Sequence, residues 1–548
     1  MKWDVIASAQ KTLEREQGYI VKDWGGRLPI ALAYANSYQV GMSSLALHTL
    51  YRLLNKQPQV VCERVFLSGR SRQPLITLES QHDILDCAVL AVSLSFELDY
   101  INLAALLRQA GMPPQAEQRD ETYPLLLLGG PAVTANPEPL AAISDAFFIG
   151  EVEEAISPLS SLLWEAVDAP RAEVLAALAR LPGVYVPSRA PLPVKRRWVR
   201  RLDDYPTAST IFTPDTEFGD MYLMEISRGC GRGCRFCLAG YTYRPPRERS
   251  LAALLAQAQE GLKQRDRIGL VGAAISDYSQ IDELVAALRR LGARISVSSL
   301  RAKPLSETLV AALAESGVRT LTLAPEAGCE SLRRLVNKGI TEEDILAAVE
   351  LAQRYRFPAL KLYFMIGLPG ETTDDVAAIA TLVDTIRKRF SGEIAINVSP
   401  FVPKAHTPFQ WAAMAAPEIL EERLAALRAG LQRENAELKT ESIAWSRIQG
   451  VLARGDRRLG RVLAAMEGHT SLRAWEKALR EQGLEEEEYL RERSWDETLP
   501  WQVVDMGVNL DYLRVEAERA GLGLACPPCT GSGCDRCGVC KPGEGEES

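Results

Sequence analysis

No stretch of this chain is apolar for long enough to span a bilayer, and its start, Met1-Lys2-Trp3-Asp4-Val5, has no apolar signal core. A cytoplasmic protein with no membrane partner is expected. Positive charge is not in excess either: the formal net charge of -8 argues against a surface that coats nucleic acid, although one basic patch facing RNA stays compatible with it. Cysteine is scarce away from two short stretches. Only Cys62, Cys87 and Cys329 stand apart, in apolar surroundings that suit buried small residues, so a disulfide framework is not expected. With 47% apolar and 24% charged residues the 548-residue chain is neither disordered nor membranous, and its length points to two or three domains.

What is present is metal-ligand spacing. Cys230-Gly231-Arg232-Gly233-Cys234-Arg235-Phe236-Cys237 sets three thiols in a CxxxCxxC pattern just after the apolar run Met221 to Ile226. Three thiolates hold three irons of a 4Fe-4S cube and leave the fourth iron open, where the amino and carboxylate groups of S-adenosylmethionine can chelate. A closed four-cysteine site has no such position.

Residues 1–190 alternate strands with helices, the pattern of a doubly wound parallel sheet. Strands are expected at Leu28 to Ala33, Cys87 to Ser93, Pro124 to Leu128 and Ala146 to Ile149, with helices at Leu45 to Leu54 and Ile101 to Gln109. In such sheets ligands sit at the carboxyl ends of strands, which here are Asn36 to Gly41, Ser93 to Phe96 and Gly129-Gly130-Pro131. Simple turns are the alternative. A linker, 191–215, carries the basic run Lys195 to Arg201, expected to be a solvated interdomain strand rather than a phosphate contact.

From residue 216 to 412 the alternation resumes, with six strands at Tyr222 to Ile226, Ile268 to Val271, Ile295 to Ser298, Thr320 to Leu323, Ala359 to Ile366 and Ile394 to Ser399. They suggest a partial (β/α)6 barrel, with the cysteine motif directly after the first strand, where barrels place their working residues. Other strand ends supply groups for the nucleotide. Ser299 and Arg301 follow the third strand, Arg301 suited to pair with a carboxylate. Glu326 follows the fourth, as an acceptor for ribose hydroxyls; Gly367 and Gly370 follow the fifth, allowing close backbone approach. His406 lies in the stiff loop Pro400 to Trp411, as a proton donor or acceptor near substrate or as a backbone-bonded structural residue.

Residues 413–522 are mostly helical by periodicity, with helices expected at Ile419 to Leu438, Ile443 to Leu452, Arg461 to Met466, Leu472 to Glu481 and Tyr512 to Arg519. Within them Arg454-Gly455-Asp456-Arg457-Arg458 is either an anion clamp or a salt-bridged turn. The tail, 523–548, sets Cys526, Cys529, Cys534, Cys537 and Cys540 as linked CxxC units, the ligands of a second metal site. Zinc and iron-sulfur both suit soft thiolates; an auxiliary iron-sulfur cluster is favoured, and five cysteines exceed the four of one closed site.

The motifs together resemble a known family. CxxxCxxC with Phe236 before its last cysteine, Gly367 to Thr372, and Val402-Pro403-Lys404-Ala405-His406-Thr407-Pro408 look like the radical S-adenosylmethionine (SAM) superfamily. With the first domain and Arg454 to Arg458, nearly the whole chain resembles the cobalamin-binding-domain-containing radical SAM proteins. The resemblance implies a 4Fe-4S cluster, S-adenosylmethionine and a cobalamin-binding-like first domain, with Asn36, Gly41, Ser93, Gly129 and Gly130 as its ligand loops. Tyr38 stands at the position of the histidine in the cobalamin motif Asp-x-His-x-x-Gly. Phenol is a poorer axial ligand for cobalt than imidazole, so cobalamin would bind without a histidine from this loop.

The expected function is reductive cleavage of S-adenosylmethionine by an electron from a flavodoxin or ferredoxin. The resulting radical would serve cobalamin-dependent methylation or related carbon-bond formation on a substrate that is a small molecule, RNA or protein. A cobalamin-independent radical SAM enzyme that inserts sulfur with its tail cluster, and a metal-stabilised RNA-binding or scaffold protein, are the alternatives.

Overall fold

The computed structural model describes residues 2–67, 73–189, 193–432, 436–531 and 534–540. Pro191 of the expected linker and Ser532 and Gly533 of the tail lie outside these. No described helix is long and apolar enough to cross a membrane.

The first domain is a six-stranded sheet: β1 (Leu28–Tyr34), β2 (Val60–Phe66), β3 (Val89–Ser93), β4 (Leu125–Gly129), β5 (Ala146–Phe148) and β6 (Val184–Tyr185), in the order β2-β1-β3-β4-β5-β6. All pairings are parallel except β5 with β6. Helices cover both faces, so β1 is buried along nearly its whole length, as its apolar run requires. β2 and β6 are absent from the strands expected above. In β2 the reason is Glu63-Arg64, two charged residues that break the apolar pattern. The fold buries them: Arg64 pairs with Glu16 at 2.6 Å and Glu79 at 2.7 Å, all three side chains in the interior.

The barrel strands are β7 (Met221–Glu225), β8 (Arg267–Val271), β9 (Arg294–Val297), β10 (Thr320–Glu326), β11 (Ala359–Ile366), β12 (Glu393–Pro400) and β13 (Glu437–Thr440). They form two parallel sheets, β9-β8-β7 and β10-β11-β12-β13, joined at the bridge Leu300↔Leu323. Alternate residues such as Leu321, Leu360, Leu362, Ile394 and Ile396 face the surrounding helices and form one core with Ile345, Val349, Ile379 and Leu382. Local signals start the helices: Thr341 with Asp344 and Thr372 with Asp375 form capping boxes ahead of Glu342–Arg354 and Thr373–Arg387. β13 is the seventh strand. It corrects the expected helix Ile419 to Leu438, which stops at Leu431; Glu437-Leu438-Lys439-Thr440 alternates in burial and adds to the edge of β12.

A further expectation changes. The basic run is not a solvated strand: Arg196 is buried, Val194–Lys195 pairs with Val504–Asp505, and Arg197 bridges Gly150. The helices after residue 440 pack on the first domain, where Ile448, Leu452, Val462 and Trp475 share a core with Leu103, Leu107 and Ile143.

Candidate functional site

The cluster loop starts where β7 ends. Ser227–Arg228 pairs antiparallel with Arg247–Glu248 and closes the base of the loop, and the short helix Ala239–Thr242 follows it. Arg232 clasps Asp277, beyond the end of β8, with Nε and Nη2 at 2.8 and 2.6 Å. Arg235 is fully buried and donates to the carbonyls of Arg334, Leu335 and Leu524 and to Glu516. The loop is thus fixed on the barrel side by one arginine and on the carboxy-terminal side by the other.

Cys230, Cys234 and Cys237 influence one another electrostatically. Burial raises Cys230, and burial followed by the neighbouring Cys234 pushes Cys237 up to about 12. Metal binding would have to displace those protons, and two cations stand ready to balance the resulting thiolates. Arg301 Nη1 lies 4.0 Å from Cys234 Sγ. Lys338 is buried beside it; burial opposes its charge, but Glu326 at 2.7 Å and the Cys234 thiolate lift it above the ordinary lysine value. A three-thiolate set flanked by cations fits an iron-sulfur cluster.

The expected nucleotide residues are distributed differently. Arg301 does not offer an open fork to a carboxylate, because its Nη2 and Nε donate to the carbonyls of Lys338 and Lys303. Glu326, at φ 70°, keeps one carboxylate oxygen on Lys338. Ser299 is exposed. Gly367 donates to Glu371 at 2.8 Å and abuts Leu420, while Gly370 has open space around it. His406 is buried at the seam between the domains, held by burial down at about 3, with the Ala135 backbone as its partner. It does not line the cavity described next.

That cavity, of about 390 Å³, runs from beneath the first sheet to the cluster loop. Its deep part is apolar, walled by Leu32, Leu50, Leu54, Ala91, Leu159 and Leu163; its mouth is formed by Ser93, Gly129, Gly130 and Gly150 on one side and Glu225, Arg228, Gly229 and Tyr243 on the other. Gly130 makes this wall possible. It has φ +111°, and a Cβ there would meet the Leu94 carbonyl oxygen at 2.4 Å. Ser93, Gly129 and Gly130 therefore line the cavity as expected, but Asn36 and Gly41 do not. Asn36 bonds Asp99 at 3.1 Å, Gly41 is covered by Phe66, and the Tyr38 hydroxyl donates to Glu16. No histidine, cysteine, methionine or lysine is among the described residues that line the cavity.

Sequence reasoning missed the mouth's ion network and the turn Asn337-Lys338. Glu151 accepts from Arg247 at 2.7 and 2.9 Å and from Arg228 at 2.9 Å, tying the first domain to the barrel. The signal for Asn337 is the run Asn337-Lys338-Gly339, a left-handed turn with φ 53° at Asn337. Of the two readings of Arg454 to Arg458, the structure carries the salt-bridged turn: Arg457 pairs with Glu138 at 3.0 Å and touches Tyr185 at 3.3 Å, and Arg458 pairs with Asp456 at 2.7 Å.

The tail lies on the cluster loop. The Cys529 amide donates to the Gly231 carbonyl at 2.6 Å, and Asn337 accepts from the Cys526 amide at 3.0 Å while donating to Gly233 at 3.1 Å. Cys540 has Cys529, Cys537 and Cys534 as electrostatic neighbours, whereas the Cys526 thiol sits 3.4 Å from the Tyr512 hydroxyl. Among the described residues no three Cys, His, Asp or Glu side chains are gathered tightly enough for a single metal ion. Thiolates in this number suit an iron-sulfur cluster or zinc.

Comparison with known proteins agrees with this geometry. The family described as radical SAM superfamily matches residues 224–383, and that described as radical SAM proteins, N-terminal, matches residues 46–187. An uncharacterized protein of Methanocaldococcus jannaschii is 32% identical over 450 residues, 81% of this chain and 92% of its own. The tRNA-2-methylthio-N(6)-dimethylallyladenosine synthase of Methylococcus capsulatus is 26% identical over 260 residues, 44% of this chain and 54% of its own. Among solved structures, the radical S-adenosylmethionine methyltransferase TsrM of Kitasatospora setae, with cobalamin and a [4Fe-4S] cluster bound, shares the fold at TM-score 0.53 and 14% identity, over 83% of this chain and 99% of that one. The chain belongs to the radical SAM superfamily. It is a radical SAM enzyme, and membership brings with it the 4Fe-4S cluster and S-adenosylmethionine.

Proposed function

We propose that this is a cobalamin-dependent radical SAM enzyme that methylates its substrate or forms a related carbon bond. The observation behind this reading is the single cavity that joins the carboxyl edge of the first sheet, at Ser93, Gly129 and Gly130, to Gly229 beside Cys230. When bound, the cluster supplies the electron that splits S-adenosylmethionine into methionine and a 5'-deoxyadenosyl radical, and cobalamin supplies the methyl group. The protein's part is to bind and orient. Cys230, Cys234 and Cys237 would hold the cluster, with Arg301 and Lys338 offsetting thiolate charge. The apolar wall under the sheet would take the buried part of the corrinoid and exclude water from the mouth. With no histidine among the described residues that line the cavity, a corrinoid would be held by the pocket's walls.

The electron would come from a flavodoxin or ferredoxin, and the substrate would enter along the barrel's concave face. Sulfur insertion fits less well: the auxiliary cysteines of methylthiotransferases lie in the first domain, where this chain has only Cys62 and Cys87, both buried. The test is anaerobic reconstitution with iron, sulfide and hydroxocobalamin, followed by reduction with S-adenosylmethionine present. Corrin absorbance should survive gel filtration and 5'-deoxyadenosine should form. Loss of corrin from well-folded protein defeats the cobalamin reading; absence of 5'-deoxyadenosine above background defeats the proposed cleavage.

A further inference from the structure

Arg196 lines the cavity mouth with only 4% of its surface exposed. One of its terminal nitrogens, Nη2, donates to the Arg244 carbonyl at 2.5 Å, but Nε and Nη1 are buried without a partner. Among the described residues no carboxylate forms an ion pair with it. Glu151 is taken by Arg247 and Arg228 and by the Val199 amide, and the Asp505 side chain accepts from Gly507. Burial accordingly pulls the Arg196 guanidinium down to about 10, with Arg247 adding repulsion and Glu151 only partly opposing both. A buried cation with open donors and no counterion is costly in the empty protein, and its cost falls when a ligand brings the missing negative charge.

We infer that Arg196 receives the anionic group of the ligand that fills this cavity. Two sources share that chemistry: the phosphodiester of the cobalamin nucleotide loop, which rests on the reading above, and a carboxylate or phosphate on the substrate. Main-chain anchoring fits the role. The Arg196 amide donates to Asp505 and the Arg197 amide to Ile149, so the guanidinium is delivered from a paired segment rather than from a loose linker.

The experiment uses the full-length, cluster-reconstituted protein with Arg196→Met and, as a second variant that keeps a donor, Arg196→Gln. Three probes are titrated: hydroxocobalamin, cobinamide, which has the corrin but no nucleotide loop, and inorganic phosphate. Corrin absorbance reads the first two and thermal unfolding the third. If the phosphodiester is the partner, Arg196→Met weakens cobalamin roughly tenfold or more, the scale of a charge-assisted hydrogen bond, and leaves cobinamide unchanged. If a substrate anion is the partner, both corrinoids bind the variant normally, while millimolar phosphate raises the Tm of wild type and not of the variant. Equal cobalamin binding together with equal phosphate shifts overturns the inference. Should neither corrinoid bind even the wild type, the cobalamin reading fails by itself, and the phosphate arm still decides Arg196.

Discussion

The main-chain amide of Cys529 donates to the carbonyl of Gly231 across 2.6 Å, so a candidate ligand of the tail and the neighbour of Cys230 share one hydrogen bond. The approach is close enough that a Cβ on Gly231 would meet the Cys529 carbonyl oxygen at 2.7 Å. A tail that looks like an appendage in the sequence is therefore one wall of the cluster loop, and the two cysteine sets are neighbours in space.

Two metal sites that touch but use separate ligands should separate by mutation. Cys234→Ala is expected to remove the barrel cluster and lower S-adenosylmethionine cleavage by a factor on the order of 10³ or more, since no other group supplies that electron. Cys540→Ala should lose only the tail metal, and Cys526→Ala should keep it, because the Cys526 thiol is turned to Tyr512. Iron and zinc content together with 5'-deoxyadenosine yield check all three. Loss of tail metal from Cys526→Ala would place that thiol among the ligands.

Asn337 holds tail and loop together while sitting at φ 53°. Its two functions are separable. Asn337→Gly keeps the backbone conformation and loses the side-chain bonds, at a cost of about 1–3 kcal/mol. Asn337→Ala should cost roughly 1–2 kcal/mol more, because alanine resists the left-handed region. Denaturant unfolding measures the difference, and limited proteolysis should show the tail released in both variants. Equal stability of the two would mean that the turn carries no backbone strain.

Acid should weaken the seam between the domains. Burial by itself would raise Glu151, but Arg247, Arg228 and the Val199 amide together hold its carboxyl below the usual 4.5. A carboxyl with a depressed folded value contributes its full stability above about pH 4.5 and loses it as pH falls through that lower value. Glu151→Gln leaves the buried Arg247 without a carboxylate, while Arg228 keeps Glu153 and Glu225, and is expected to cost about 3–5 kcal/mol at pH 7. Its stability should then decline less steeply than wild type between pH 5 and the acid limit, roughly the window that carboxylate linkage sets. Parallel curves from chemical denaturation at stepped pH would rule out Glu151 as the titrating group.

The adjacent glycines of the cavity mouth should respond unequally. Gly130→Ala forces a Cβ onto the Leu94 backbone at a positive φ, with a penalty of roughly 1–2 kcal/mol for the conformation alone and more for the collision. At Gly129 a Cβ would meet only the Phe148 carbonyl oxygen, at 3.8 Å, so Gly129→Ala should fold normally. Thermal unfolding and corrin retention compare them. A stable Gly130→Ala that binds corrinoid as wild type does would contradict the assignment of this wall.

The sequence by itself determined the parts whose chemistry is local. Cys230, Cys234 and Cys237 needed only their spacing and a preceding strand, and the barrel strands needed only alternation that repeats in order. Ser93, Gly129 and Gly130 were legible for the same reason, since a parallel sheet sends the ends of its strands to one edge. Where charge interrupted a pattern, reading failed: β2 was hidden by Glu63-Arg64, whose partners Glu16 and Glu79 lie outside the strand. Tertiary structure decided what depends on residues far apart in the chain. It kept Asn36 and Gly41 from lining the cavity and brought the Cys526 thiol beside the Tyr512 hydroxyl. It also buried Arg196 from a run that reads as a solvated strand. The physical reason is the same in each case. A side chain's type limits what it can bind, but whether it meets water, a partner or an empty wall is set by the surfaces folding brings against it, and here those surfaces come from the first sheet, the barrel and the tail at once.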